Sequence, residues 1–200
     1  MRATIINYGV GNLFSIYSGL RRVGFEVSIS PEPAGNEDLI VFPGVGSFSA
    51  VSKYLVSRRE LFDDLRRGGT YFLGVCLGMQ VMFEVGTEGG VNNGLGWFRG
   101  RVDRIAGVGL KVPHIGWDEL IVTDLTCPLT DGLDGQYVYY VHSYVAYPVD
   151  EGIVKAISIY GNPYPAIICS DNVVGTQFHP EKSGRVGRVF LNNLYRWVRR

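Results

Sequence analysis

The stretch 70–80, Thr-Tyr-Phe-Leu-Gly-Val-Cys-Leu-Gly-Met-Gln, limits what this chain can fold into more than any other. Residues 71–75 are an apolar run rich in β-formers, which reads as a buried strand. Residues 77–85, with Leu77, Val81, Met82 and Phe83 apolar, read as the helix that follows. Cys76 falls on the turn between them, with Gly74 and Gly78 two residues to either side. This is the layout of a nucleophile elbow, here with Cys in place of Ser. Such a turn holds its central residue in a strained conformation, and small flanking residues let strand and helix approach closely. The free N–H groups opening a helix also favour the thiolate, the reactive form of cysteine. Alone, the pattern equally fits a buried structural cysteine, because free Cys is among the most buried residue types.

Around this elbow the chain alternates. Residues 3–8 read as a strand, and Leu13, Ile16, Tyr17, Leu20 and Val23 recur at helical spacing before Gly24 closes the helix. Strands at 25–30 and 39–42 follow, the second running into Pro43-Gly44-Val45-Gly46, and then helical stretches at 50–56 and 59–67. The alternation predicts an α/β fold with a mostly parallel central sheet and helices on both faces. Beyond Gly86 the texture changes. Residues 86–96 are rich in Gly and Asn and read as an exposed loop. Strands are expected at 99–105, about 119–123, 136–147, 153–160, 165–170 and 173–178, with Asp171-Asn172 as a hairpin turn and a closing helix over 183–200. This β-rich half completes the sheet and adds an edge layer. No repeat or linker-like tract interrupts the chain, so residues 1–200 are expected to form a single domain.

Bulk composition narrows the functions. With 19 basic and 19 acidic residues the formal net charge is zero, which gives no electrostatic affinity for nucleic acid or anionic membrane. The three cysteines, Cys76, Cys127 and Cys169, are odd in number and far apart, and no histidine falls at zinc spacing. Neither a disulfide framework nor a structural metal is expected, and a reducing interior suits the chain. The N-terminus passes directly into a strand, without a signal-type apolar region or a membrane-length stretch, so the expected location is the cytosol.

Two further stretches supply what a reactive cysteine needs. Gln177-Phe178-His179-Pro180-Glu181 lies where the last strand meets the final helix, and open parallel sheets collect their chemistry at such strand ends. There His179 can take the Cys76 proton and Glu181 can orient the imidazole. A His-Pro turn with a solvated Glu is the bland alternative. The turn at 43–46 can present backbone N–H groups to an oxyanion, although a phosphate nest or a plain tight turn would read the same way. Of the other histidines, His114 is expected in a loop and His142 inside a strand, packed or hydrogen-bonded rather than catalytic.

Taken together, Gly74-Val-Cys76-Leu-Gly78-Met-Gln80 and His179-Pro-Glu181 resemble the class I, triad-type glutamine amidotransferases over essentially the whole chain. Within that class, Asn7-Tyr-Gly-Val-Gly-Asn12-Leu13, Pro43-Gly-Val-Gly-Ser-Phe48, Pro113-His-Ile-Gly-Trp117, Tyr140-Val-His-Ser-Tyr144 and His179-Pro-Glu-Lys-Ser183 are most similar to glutaminase subunits of imidazole glycerol phosphate synthase. The resemblance implies a Cys76, His179 and Glu181 triad that hydrolyses L-glutamine through a γ-glutamyl thioester, without cofactor or metal. It implies an oxyanion site from the Leu77 N–H and the Gly44–Val45 turn, and glutamine held by Gln80, Glu88 and backbone of Ser143 and Tyr144. It also implies a separate cyclase subunit, a (β/α)8 barrel, which receives the ammonia; Asn12 and Lys182, close in sequence to the first loop and to the triad, are the candidates for the surface that faces its ammonia entrance. The triad alone leaves open the glutaminases of pyridoxal phosphate synthase and anthranilate synthase. A silent regulatory subunit of the same fold and a stand-alone thiol hydrolase also remain open.

Overall fold

The fold is that of a computed structural model, which describes residues 1–9, 13–44 and 46–200. In chain order the elements are β1 Arg2–Ile6, α1 Phe14–Arg22, β2 Glu26–Ser30, β3 Leu39–Phe42, α2 Phe48–Val56, α3 Arg59–Arg67, β4 Tyr71–Val75 and α4 Leu77–Gln80. Then come β5 Phe83–Gly86, β6 Asn92–Asn93, β7 Phe98–Arg104, β8 His114–Glu119, β9 Ile121–Val122, β10 Tyr137–His142 and β11 Tyr144–Pro148. The chain closes with β12 Val154–Tyr160, β13 Asn162–Ser170, β14 Val173–Thr176 and α5 Gly184–Val198. Among the described residues no helix is long and apolar enough to cross a membrane.

Eight strands form the central sheet in the order β2-β1-β3-β4-β14-β13-β12-β9. The β2-to-β14 portion is parallel, and the β13, β12 and β9 edge is antiparallel. The period of two along each strand divides two cores between the sheet faces. Leu39, Val41, Leu73 and Val75 pack with Ile16, Leu20, Leu191 and Leu194 of α1 and α5. Their alternates Ile40, Phe42 and Phe72 pack with Phe48, Val51, Leu55 and Phe62 of α2 and α3. Strands covered on both faces read as continuous apolar runs, and β3, Leu-Ile-Val-Phe, is buried throughout.

Four expectations change. The helix expected over 77–85 is one turn, Leu77–Gln80, after which the chain extends into β5. The carbonyls that would propagate it are taken by a later segment: Leu95 N–H donates to Val81 O, and Trp97 and Phe98 N–H donate to Met82 O. The strand expected over 136–147 breaks at Ser143. Its first part pairs with β8 in a two-stranded ribbon, and its second pairs with β7 in a four-stranded sheet. His114 opens β8 rather than sitting in a loop, and the 86–96 loop carries the short strand β6.

Small residues set the distance between β3, β4 and α4. A Cβ on Gly74 would lie 2.6 Å from the Gly78 carbonyl group and the Met79 nitrogen, and one on Gly78 would run into the Phe42 carbonyl. Both obstacles are backbone and cannot rotate away. Gly74→Ala is therefore expected to cost about 1–3 kcal/mol, the usual range for overpacking, read as a lower denaturant midpoint at unchanged slope.

Candidate active site

Two parallel neighbours bring the chemistry together. Val75 and Thr176 are register partners on β4 and β14, so Cys76 and the segment 177–181 leave the sheet side by side at its carboxyl edge. Cys76 has φ 48° and ψ −107°, a left-handed conformation that a non-glycine residue adopts only when its surroundings impose it. They do so on both sides: Cys76 N–H donates to Thr176 O at 2.6 Å, and Cys76 O accepts from the N–H groups of Met79 and Gln80. The elbow expected from the sequence is formed, on a single helical turn instead of a full helix. Among the described residues the Leu77 N–H has no acceptor.

His179 is 4% exposed and opens a tight 3-10 turn, Pro180–Lys182. Its backbone is tied down by His179 N–H to Tyr139 O at 3.0 Å and by the Ser183 hydroxyl donating to His179 O at 2.7 Å. Nδ1 lies 2.8 Å from Glu181 Oε1, while Nε2 is buried and makes no hydrogen bond among the described residues. Burial works against the charged ring, but the nearby Cys76 sulfur and the hydrogen-bonded Glu181 carboxylate outweigh it and push the His179 pKa up to about 10. The Cys76 sulfur points its hydrogen toward Val141 O at 3.8 Å and accepts from Gln177 Nε2 at 3.5 Å.

A cavity of about 210 Å³ opens in front of the sulfur, lined by Gly44, Gly46, Leu77, Gln80, Glu88 and the 141–144 segment. That is below the usual size of drug-sized ligand pockets and suits a small polar molecule. A wider, more open cleft of about 720 Å³ beside Tyr147 and Tyr164 contains none of the triad groups. Gly44 is closely confined: a Cβ there would lie 2.8 Å from Val75 O, 2.9 Å from Cys76 Cβ and 3.0 Å from His179 Cε1. Val45 and Asn12 lie outside the described residues. Gln80 Nε2 donates to Tyr144 O at 2.8 Å and to Gln177 Oε1 at 3.0 Å. Glu88 Oε2 accepts from Phe48 N–H at 2.7 Å, which caps α2. Ser143 and Tyr144 form the cavity wall where β10 breaks from β11, with Ser143 O engaged by Ile105 N–H. Lys182 is exposed beside the triad.

Gln177 is the residue the sequence reading passed over. It is fully buried and donates to the Cys76 sulfur. Its signal was a carboxamide at the inner end of a strand of otherwise apolar character. His142 is packed and hydrogen-bonded, as expected, and burial pushes its pKa down to about 4. Cys127 and Cys169, remote in sequence, share a hydrogen bond away from this cavity; it eases ionisation of Cys127 and opposes that of Cys169. Among the described residues no cluster of three or more His, Cys, Asp or Glu could hold a metal ion.

The raised His179 pKa makes a prediction about stability. A group whose pKa rises on folding stabilises fully below its unfolded value, near 6.5, and loses that contribution as pH climbs toward 10. Replacing His179 by Gln should therefore cost most at pH 6, with the gap to the parent chain narrowing between pH 6.5 and 10 in denaturant unfolding. A gap that widens with pH would refute the ion-pair arrangement.

Residues 4–196 match the family model for class I glutamine amidotransferases. The imidazole glycerol phosphate synthase subunit HisH of Sulfolobus acidocaldarius is 66% identical over 200 residues, all of both chains. That of Saccharolobus solfataricus is 62% identical over the same span. A solved structure of PurLQS from Thermotoga maritima shares the fold, with TM-score 0.77 at 18% identity over 98% of both chains. This chain belongs to the class I glutamine amidotransferase family.

Proposed function

We propose that the chain is the glutaminase subunit of an imidazole glycerol phosphate synthase, its 200 residues working as one amidotransferase domain in the cytosol. The observation that carries the chemistry is Cys76 lining one small cavity with the hydrogen-bonded His179 and Glu181 pair packed beside it. In this reading the Cys76 proton passes to His179 Nε2, and the sulfur adds to the side-chain carbonyl carbon of glutamine. The developing oxyanion is met by the Leu77 N–H, with the Gly44–Val45 turn supplying the second donor. His179 returns the proton to the departing nitrogen, ammonia leaves, and a γ-glutamyl thioester remains. His179 then takes a proton from water, which attacks the thioester and releases glutamate. Glu181 orients the ring through Nδ1 and stabilises its charged form.

Gln80 has both N–H bonds committed internally, so its Oε1 is the amide atom available to a substrate donor. The Glu88 carboxylate complements the substrate ammonium, and the 143–144 backbone closes the opposite wall. The ribbon of β8 and β10 supports a protein partner. Its inner face buries His114, Tyr140 and His142, whereas Ile115, Trp117 and Tyr137 on the outer face are 60%, 51% and 54% exposed. Rows of exposed aromatic and aliphatic side chains mark interaction surfaces. We assign this face, with Lys182 beside it and Asn12 in the first loop, to the (β/α)8 cyclase subunit that uses the ammonia. The snug cavity favours glutamine over the peptide-like substrates of a stand-alone thiol hydrolase.

Cys76→Ala should abolish glutamine turnover while Cys127→Ala retains it; the reverse pattern would overturn the assignment. His179→Ala should be nearly silent and Glu181→Gln slow but measurable, because an unoriented imidazole still reaches a productive pose part of the time. Equal, complete loss in both would mean that Glu181 does more than orient.

Coupling to the acceptor predicts one more behaviour. Glutamate production by the isolated chain should rise by about 10²–10³-fold on adding the cyclase subunit with its nucleotide substrate, the scale of gaining one oxyanion donor. Full activity in the isolated chain, unchanged on addition, would exclude that switch.

A further inference from the structure

The polar groups behind the cavity form a chain whose direction follows from one atom. Tyr144 O stands at the break between β10 and β11, and a carbonyl oxygen can only accept. Gln80 must therefore turn its NH2 group toward it, at 2.8 Å, and the same nitrogen donates to Gln177 Oε1 at 3.0 Å. With its oxygen so engaged, Gln177 has only its NH2 group to offer the Cys76 sulfur, at 3.5 Å. Gln80 is 4% exposed and Gln177 fully buried, so water competes little for the Gln80 N–H donors and not at all for Gln177.

A second branch braces the pivot. His142 Nδ1 lies 3.0 Å from Tyr144 O and must donate to it, which leaves His142 Nε2 to accept from His114 Nδ1 at 3.0 Å. His114 Nε2 in turn lies 2.8 Å from Asp118 Oδ2, a buried oxygen with no other partner among the described residues. Tyr140 and Tyr160 stack on the His114 ring, with centroids at 5.3 and 4.0 Å.

We propose that Gln177 is a catalytic residue of this site, donating from Nε2 to the Cys76 thiolate, and that Gln80 is the positioning residue that aims the donor. The proposal rests on Cys76 being the nucleophile. The sulfur has two directional partners, one for each protonation state. As a thiol it donates to Val141 O; as a thiolate it can only accept, and Gln177 is the donor in place. Hydrogen bonding to a charged form favours that form. The titratable groups facing the sulfur among the described residues are His179 beside it, and Glu88, His142 and Tyr144 in the cavity wall.

The test uses two variants. Gln177→Glu keeps an oxygen for Gln80 Nε2 and replaces the donor at the sulfur by an acceptor, whereas Gln177→Met removes both. Iodoacetamide alkylation of Cys76 would be followed against pH on its own peptide by mass spectrometry, so that Cys127 and Cys169 do not contribute. Circular dichroism melting checks the fold, and kcat and KM for glutamine are measured in the complex with the cyclase subunit. The alkylation midpoint should rise by about one to two pH units, the scale of a hydrogen bond to a charged group, and kcat should fall about 10–100-fold with KM little changed. Gln80→Leu should shift the midpoint less, in the same direction. If neither Gln177 variant folds, Gln177→Asn, a shorter amide, gives the same reading. An unmoved midpoint in a folded variant, or a loss confined to KM, overturns the proposal. Glutamine turnover by Cys76→Ser would instead sink the nucleophile reading.

Discussion

The hydrogen bond from Cys76 N–H to Thr176 O holds the site together. It continues the β4–β14 ladder one residue beyond the strands and fixes Cys76 in a backbone conformation that an L-residue would otherwise avoid. Because β14 also leads into His179, the same ladder sets both the height of Cys76 and the place where His179 emerges beside it. Strain at Cys76 is thus sustained by the stiffest part of the molecule, strands buried on both faces.

Glycines complete that geometry where side chains would not fit. Gly74 and Gly78 let β4 turn directly into α4 against the Phe42 backbone, and Gly44 lets the loop after β3 lie against Cys76 and His179. The polar interior follows a second logic. Tyr144 O lies where one strand changes sheets, and such breaks free backbone groups that a regular ladder would consume. Here the freed carbonyl organises two amides and two imidazoles into a directed network.

Membership in the amidotransferase family and the architecture of the sheet follow from local signals. Alternating apolar strands and amphipathic helices specify a doubly covered sheet, because each pattern can bury its apolar atoms in only one way. The elbow was legible for the same reason: a strand, one residue and a helix, with glycine at both flanks, leave the cysteine nowhere but on the turn. What local patterning misjudged were the places where distant backbone competes. Val81 to Phe83 look helical in isolation, but residues 94–98 take the carbonyls that a longer helix would need.

The sequence by itself determined which residues are candidates for the chemistry, since Cys76, His179 and Glu181 lie in short motifs whose spacing is set by covalent geometry. It could not determine how those motifs meet. Cys76 and His179 are brought together only by the parallel pairing of β4 with β14, a contact between segments about a hundred residues apart. The same holds for Gln177, His114, His142 and Asp118, ordinary polar residues along the chain. They become one network because the break at Ser143 and the pairing of β8 with β10 bury them against each other. Hydrogen-bond partners of buried polar groups are chosen by proximity in space, and proximity in space is what tertiary structure decides.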